Sequence, residues 1–373
     1  MSYSNPSAAT ASFSRQTKAI INLANIKSNY EKINEFAPNS ITIAVIKANA
    51  YGHGAFEVAK ALDGIAPMLS VAFIDEAVKL RQSGITLPIL ILEGAMREED
   101  IATSIENDFL LMFHHHEQIA WLSAYQTIHG GVLQQFWLGL DTGMHRLGFL
   151  PESIDQIIAT LNKSTNIREV VLCSHFSSAD ERENAKTTNQ IEKIQDIASK
   201  HGCLMSIANS AGILTWPESH MHYNRLGLAL YGASPVEQAF LPFDLDPVMS
   251  LQSSVIALRE VNIGESVGYG ETWVAERTSL IATVAIGYAD GYPRNAPMDT
   301  PTFINGSIAP LAGRVSMDMI TIDVTDLAKV EIGDTVELWG SNLSIETIAK
   351  HVNAINYELI TRVSDRVPRV YSN

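Results

Sequence analysis

Ile41-Thr-Ile-Ala-Val-Ile-Lys47-Ala-Asn-Ala-Tyr51-Gly-His-Gly54 sets the rhythm for everything that follows it. Its first six residues are aliphatic or β-branched, as in a strand covered on both faces. The strand runs into Lys47, and a Gly-His-Gly loop comes next. Lysine is almost never fully buried unless paired, because taking an ammonium out of water is costly. Burial lowers a lysine's pKa and frees the neutral amine that Schiff-base chemistry requires. Taken alone, Lys47 reads first as a side chain whose head has already reached solvent. The rest of the chain argues otherwise.

Before this strand, residues 22–36 place Leu23, Ile26, Tyr30 and Ile33 at helical spacing, with Pro38 as the stop. After it, further strands are expected at 69–73, 88–92, 109–113, 136–140, 170–174, 205–208 and 228–231. Amphipathic segments lie between them at 56–62, 76–82, 98–105, 117–124, 153–161 and 189–200. Strands alternating with helical segments imply parallel βαβ units, and eight such strands imply a closed (β/α)8 barrel of the TIM type. The domain assigned to it, 17–245, is close to the ~250 residues typical of that barrel. Near Pro242 and Pro247 the helical periodicity fades. Strands are expected at 250–261, 279–287, 307–315, 319–324 and 335–339, with one helix at 345–352. Residues 246–373 therefore read as a mainly β C-terminal domain, and 1–16 as a flexible polar tail.

The 373 residues carry a net charge of −15, which argues against nucleic acid or an anionic membrane as partner. No apolar run reaches the length of a membrane span, and the polar start lacks the plan of a signal peptide. Two cysteines, Cys173 and Cys203, suggest no disulfide framework, and a cytoplasmic setting fits. His114-His-His116 invites a metal reading, but three consecutive residues do not face one site, and no metal is expected.

Barrels of this kind build their active site at the carboxyl ends of the strands. Lys47 stands at the first such end, followed by Asp141 and Arg146, His175, Asn209 and Ser210, then Arg225. Polar residues gathered at that one rim give Lys47 a reason to be there. Ser210 and the backbone near Gly227 fall where such barrels often hold a phosphate. A Schiff-base lysine with a phosphate site points to pyridoxal phosphate. Arg225 adds to this, since a guanidinium cannot lose its proton. Against a pyridine nitrogen it would keep the ring a weak electron sink, suited to removing and returning one proton. Arg146, in the glycine-punctuated turn Asp141–Gly148, suits a substrate carboxylate. In the second domain, Tyr269 sits on a turn between glycines, where packing is the default reading.

Val45-Ile-Lys-Ala-Asn-Ala-Tyr-Gly-His-Gly54 closely resembles the pyridoxal-phosphate signature of alanine racemases. The segments at 141–148, 208–211, 225–232, 268–273, 287–294 and 316–319 follow in that family's order. The resemblance implies interconversion of L- and D-alanine by two bases. Lys47 would hold the cofactor as a Schiff base and serve one face of the substrate Cα. Tyr269, from the other subunit of a homodimer, would serve the opposite face. His175 and Arg225 would link Tyr269 to the pyridine nitrogen. Tyr51, Ser210, Gly227 and Leu228 would hold the phosphate, Arg146 and the partner's Met317 would orient the substrate carboxylate, and Tyr288 would gate the entrance. Two positions depart from the family. Where many members carry a carbamylated lysine bracing the arginine, this chain has Gly139, and water or an anion is expected in the space. Where some use a tyrosine on the phosphate, this chain has Asp365. A pyridoxal-phosphate barrel decarboxylase would be expected to set a carboxylate at the ring nitrogen, so Arg225 argues against it. A pyridoxal-phosphate-binding protein without enzymatic activity would lack the β-rich third. A racemase of broad specificity stays compatible with the sequence.

Overall fold

The structure is a computed structural model that describes residues 15–130, 133–161 and 167–373. Most of the tail read at 1–16 lies outside the described residues. The chain forms two compact units. One contains Asn22–Val248, and the other joins the described residues up to Ile21 to Met249–Tyr371.

The chain enters on strand β1, Lys18–Asn22, which belongs with the second unit and is described there. The first unit opens with the helix Leu23–Phe36, capped by Asn22, whose side chain accepts the N–H groups of Ala24 and Asn25. Ile26, Tyr30 and Ile33 face inward at the expected spacing, and the Tyr30 hydroxyl donates to the Thr42 carbonyl at 2.7 Å. Eight parallel strands then close a barrel: β2 Ile41–Val45, β3 Leu69–Val71, β4 Ile89–Ile91, β5 Phe109–Phe113, β6 Leu133–Gly139, β7 Ile167–Cys173, β8 Leu204–Ser206 and β9 Tyr223–Leu226. Closure comes from β9 on β2, where Ile43 stands opposite Arg225. Ile43, Met68, Leu90, Trp137, Val171, Cys173 and Tyr223 pack into one cluster, so the barrel encloses a filled core.

One strand is displaced from its expected position. Residues 228–231 were expected to form the eighth strand. They form instead a 3-10 turn, Leu228–Tyr231, and the strand is Tyr223–Leu226 just before it. An apolar run of four residues fits a strand or a buried turn equally well. The true strand buries Asn224 and Arg225 completely or nearly so, which hides it from a hydrophobic pattern. Lys47 also lies past its strand, because β2 ends at Val45.

The second unit is a mainly antiparallel sheet around a long strand, β10, Met249–Val261. β1 pairs with it on one side, with Lys18 opposite Gln252. A hairpin of β11 Ser266–Val267 and β12 Trp273–Val274 carries a tight turn. The remaining strands are β13 Ser279–Val284, β14 Pro301–Ile304, β15 Ser307–Pro310, β16 Ile320–Asp323, β17 Thr335–Trp339 and β18 Arg369–Ser372. The helix Ile345–Val352 starts at Ser344, which accepts the Thr347 N–H. β1, β14 and β18 had no counterpart in the sequence pattern. Each has five residues or fewer, too short for alternation to stand out. No helix among the described residues is long and apolar enough to cross a membrane.

Candidate active site

The residues after Lys47 adopt an unusual backbone. Ala48, Asn49, Ala50 and Tyr51 all have φ between 51° and 55°, one turn of left-handed helix built from L-residues. Such a conformation costs about 1–2 kcal/mol per residue, so neighbouring contacts must hold it. Several do. The Asn49 side chain accepts the Ala55 N–H at 2.9 Å. Tyr51 stacks on Tyr231 at 4.8 Å, and the Tyr231 hydroxyl donates to the Val45 carbonyl. The Ala48 N–H donates to Glu76 at 2.6 Å. Lys47 itself is half-buried at the start of this turn.

Tyr51, Ser210 and Gly227 meet. The Ser210 hydroxyl oxygen accepts the N–H groups of Gly227 at 3.0 Å and Ala229 at 3.2 Å. A Cβ added at Gly227 would come within 2.9 Å of the Tyr51 hydroxyl and 3.8 Å of the Ser210 oxygen. Glycine keeps the gap between these two hydroxyls clear, and the buried Leu228 begins the 3-10 turn beside it. Two hydroxyls and a turn's leading N–H groups around a gap form a cradle for an anion such as phosphate.

Arg225 is 5% exposed. One terminal nitrogen, Nη1, donates to the Ser206 hydroxyl at 2.7 Å and to Cys173 Sγ at 3.2 Å. The other, Nη2, donates to the Ser174 carbonyl at 2.6 Å, to the Ile207 carbonyl at 3.4 Å and to His175 Nδ1 at 3.2 Å. Among the described residues no carboxylate pairs with this cation, and its Nε–H donates to none of them. Isolated buried charges are expensive, so a guanidinium left in this state is poised for an acceptor. Cys173 and Ser206 had drawn no functional reading from the sequence. Only the through-space contact shows that both hold the arginine.

His175 reports where the cations lie. Burial, then Arg225, Arg146 and Lys47 in that order, push its pKa down to about 3. Three of the predicted site residues therefore act on one imidazole, and Arg225 touches it. Arginine can only donate, so Nδ1 must accept, and the neutral ring carries its proton on Nε2. Below about pH 6.5 the unfolded chain takes up a proton that the native imidazole refuses. The stability due to this group is full above about pH 6.5 and declines as pH falls toward about 3. We expect the His175 ring signals to show no titration from about pH 9 to about pH 5 by NMR. Unfolding of the His175→Asn variant should be less acid-sensitive than that of the parent over that lower range.

Arg146 is exposed and makes no ion pair with a described residue. Its loop is shaped by Asp141, which accepts the N–H groups of Gly143 and His145 and pairs with the His145 ring at 2.9 Å. Although burial works against it, these donors hold the Asp141 carboxyl below its usual range.

The remaining predicted residues belong to the β-rich unit. Tyr269 opens the turn Tyr269–Glu271 between Gly268 at φ 78° and Gly270 at φ 74°, and is 69% exposed. The N–H of Tyr288 donates to the Ser316 carbonyl and that of Ala289 to the Met317 carbonyl, so the Tyr288 and Met317 segments lie together. Both side chains are exposed. Asp365 is exposed as well. His114 bonds the Glu93 carbonyl, and among the described residues no cluster of metal-ligating side chains occurs.

The sequence family described as alanine racemase, N-terminal domain, matches residues 21–235, and the alanine racemase C-terminal domain matches 248–371. The chain belongs to the alanine racemase family. An alanine racemase of Alteromonas mediterranea is 42% identical over 357 residues, covering 96% of this chain and 99% of that protein. The biosynthetic alanine racemase of Escherichia coli O6:H1 is 43% identical, covering 94% and 98%. The crystal structure of biosynthetic alanine racemase from Pseudomonas aeruginosa superposes with a TM-score of 0.91 at 42% identity, covering 96% of this chain and all of that one. The barrel followed by a mainly β domain is thus the architecture of alanine racemases.

Gly139 stands where many members of the family carry the bracing lysine. A Cβ at Gly139 would meet His114 Cβ at 3.2 Å, the Phe113 carbonyl at 3.3 Å and Gly148 Cα at 3.4 Å. Protein atoms already crowd the direction a side chain would take. Among the described residues no carboxylate pairs with Arg146.

Proposed function

We propose that the protein interconverts L- and D-alanine with pyridoxal 5'-phosphate as cofactor, as a homodimer with shared active sites in the cytoplasm. The observation that carries the reading is Arg225: a buried cation with no carboxylate partner among the described residues, touching a neutral imidazole. The residues fit the cofactor, since a cradle of Tyr51, Ser210, Gly227 and Leu228 suits its phosphate. Arg225 Nε–H suits an unprotonated ring nitrogen. When bound, the cofactor delocalises the electron pair left at Cα after a proton is removed.

The chain's own groups divide the remaining work. Lys47 anchors the cofactor and carries a proton to or from one face of the substrate Cα. Tyr269 of the partner subunit does so on the other face, because inversion needs a proton carrier on each side. Arg146 and the backbone at the partner's Met317 orient the substrate carboxylate, and Tyr288 lines the entrance. His175, held in one tautomer by Arg225, connects Tyr269 to the arginine. A guanidinium in place of a carboxylate keeps the electron sink weak, which favours return of the proton over loss of CO₂ or transamination.

Incubating the purified protein with pyridoxal phosphate and L-alanine, L-serine or L-lysine separately tests this. Loss of optical activity with L-alanine, well ahead of the other two and without CO₂, is the expected result. Release of CO₂ would mark a decarboxylase, equal rates on all three a broad racemase, and no change with alanine would remove the reading.

A further inference from the structure

Nothing in the sequence motifs assigns a task to Glu76, yet its carboxylate holds three backbone N–H groups at once. One oxygen accepts from Ala48 at 2.6 Å. The other accepts from Ala72 at 2.9 Å and Phe73 at 3.2 Å. Glu76 is the third residue of the helix Ile74–Gln82, so its carboxylate folds back over its own helix start, where a negative charge is favoured. Ala72 and Phe73 follow β3, whereas Ala48 follows Lys47. The carboxylate therefore ties the ends of two neighbouring barrel strands together at the first peptide after the lysine.

That peptide is where the left-handed turn Ala48–Tyr51 begins. A strained segment persists only when its surroundings over-determine it, and strain at a site is part of how a reactive group is pre-organised. The N–H of Ala48 belongs to the same peptide plane as the carbonyl of Lys47, so holding it constrains the ψ of Lys47 and with it the bearing of the lysine side chain. At its other end the turn delivers Tyr51 to the phosphate cradle.

We propose that Glu76 is a positioning residue, which clamps the left-handed turn so that the Lys47 amine and the Tyr51 hydroxyl are held ready before cofactor and substrate arrive. The role requires a carboxylate. Three donors need two acceptor oxygens, and a glutamine would present one oxygen and set its NH₂ against an N–H. The inference rests on the reading of Lys47 as the cofactor lysine.

Glu76→Gln, nearly the same in shape, is the informative variant, with Glu76→Ala as its more severe companion. In the full-length protein without cofactor, amide exchange of the segment 48–54 should rise at least about tenfold in Glu76→Gln, while the rest of the barrel stays as protected as in the parent. With cofactor and alanine, kcat should fall about 10- to 100-fold with KM within about twofold, as a misplaced reacting group dictates. Unchanged exchange in that segment, or faster exchange with unchanged kcat, overturns the proposal. A uniform rise across the barrel also overturns it, because Glu76 would then be a general stabiliser. The exchange measurement needs neither cofactor nor substrate. Failure of the parent protein to racemise alanine would thus show separately, as a failure of the functional reading.

Discussion

Replacing Lys47 with alanine is expected to lower alanine racemisation by at least about 10³-fold, since one positioned acid–base group contributes about 10²–10⁴ and the covalent anchor is lost with it. The protein should fold normally, because Lys47 is half-buried on a turn and makes no ion pair among the described residues. The proposed phosphate cradle of Tyr51, Ser210 and Gly227 lies in backbone and side chains that the change leaves alone. The variant should therefore still bind pyridoxal phosphate, more weakly and without the absorbance of a protein Schiff base. Lys47→Arg keeps the charge but offers no amine and should behave the same way. Racemisation within about tenfold of the parent would show that Lys47 carries no step of the chemistry.

The second large effect is expected at Tyr269. Tyr269→Phe removes one hydroxyl from a side chain that is 69% exposed on a glycine-flanked turn, so folding should be untouched. Racemisation should fall by about 10²–10⁴-fold, the usual worth of a general acid–base group. Its signature is directional. With one of two faces disabled, the variant should still exchange the α-proton of one enantiomer with solvent, through Lys47, while failing to deliver a proton to the opposite face. Deuterium incorporation followed by NMR for each enantiomer separately reads this directly. Equal loss of exchange from both enantiomers would make Tyr269 a residue that binds or packs, leaving the second base elsewhere.

The barrel was legible because its signal is repetitive. Alternation of strand and helix over eight units survives an error in any one of them, and the displaced eighth strand shows it. Tyr223–Leu226 carries an asparagine and an arginine into the barrel wall, a breach of hydrophobic pattern at the place where the proposed mechanism sets a buried cation. The strands β1, β14 and β18 were invisible because each is too short for alternation to stand out, and β1 and β18 also pair over long range. β1 pairs with a strand over two hundred residues away, at Gln252.

At the site, the motif around Lys47 and the residue types at the strand ends supplied the candidates. It did not reveal what holds them. The left-handed turn is not encoded by glycine, since Ala48 and Ala50 carry it. It depends on Glu76 and Tyr231, distant in sequence. Cys173 and Ser206 grip Arg225 from β7 and β8. Such supporting residues leave a trace only in three dimensions. Glu76 opened the helical segment expected at 76–82, and only the structure, whose helix starts at Ile74, sets it at the third position, a familiar capping place.

The account stands most directly on which residue the cofactor joins. Borohydride reduction of the protein loaded with pyridoxal phosphate, followed by peptide mapping, answers this without any assay of turnover. The prediction is a single reduced adduct on the peptide containing Lys47, absent in Lys47→Ala. An adduct on any other lysine, or none on a protein that racemises alanine, would contradict it.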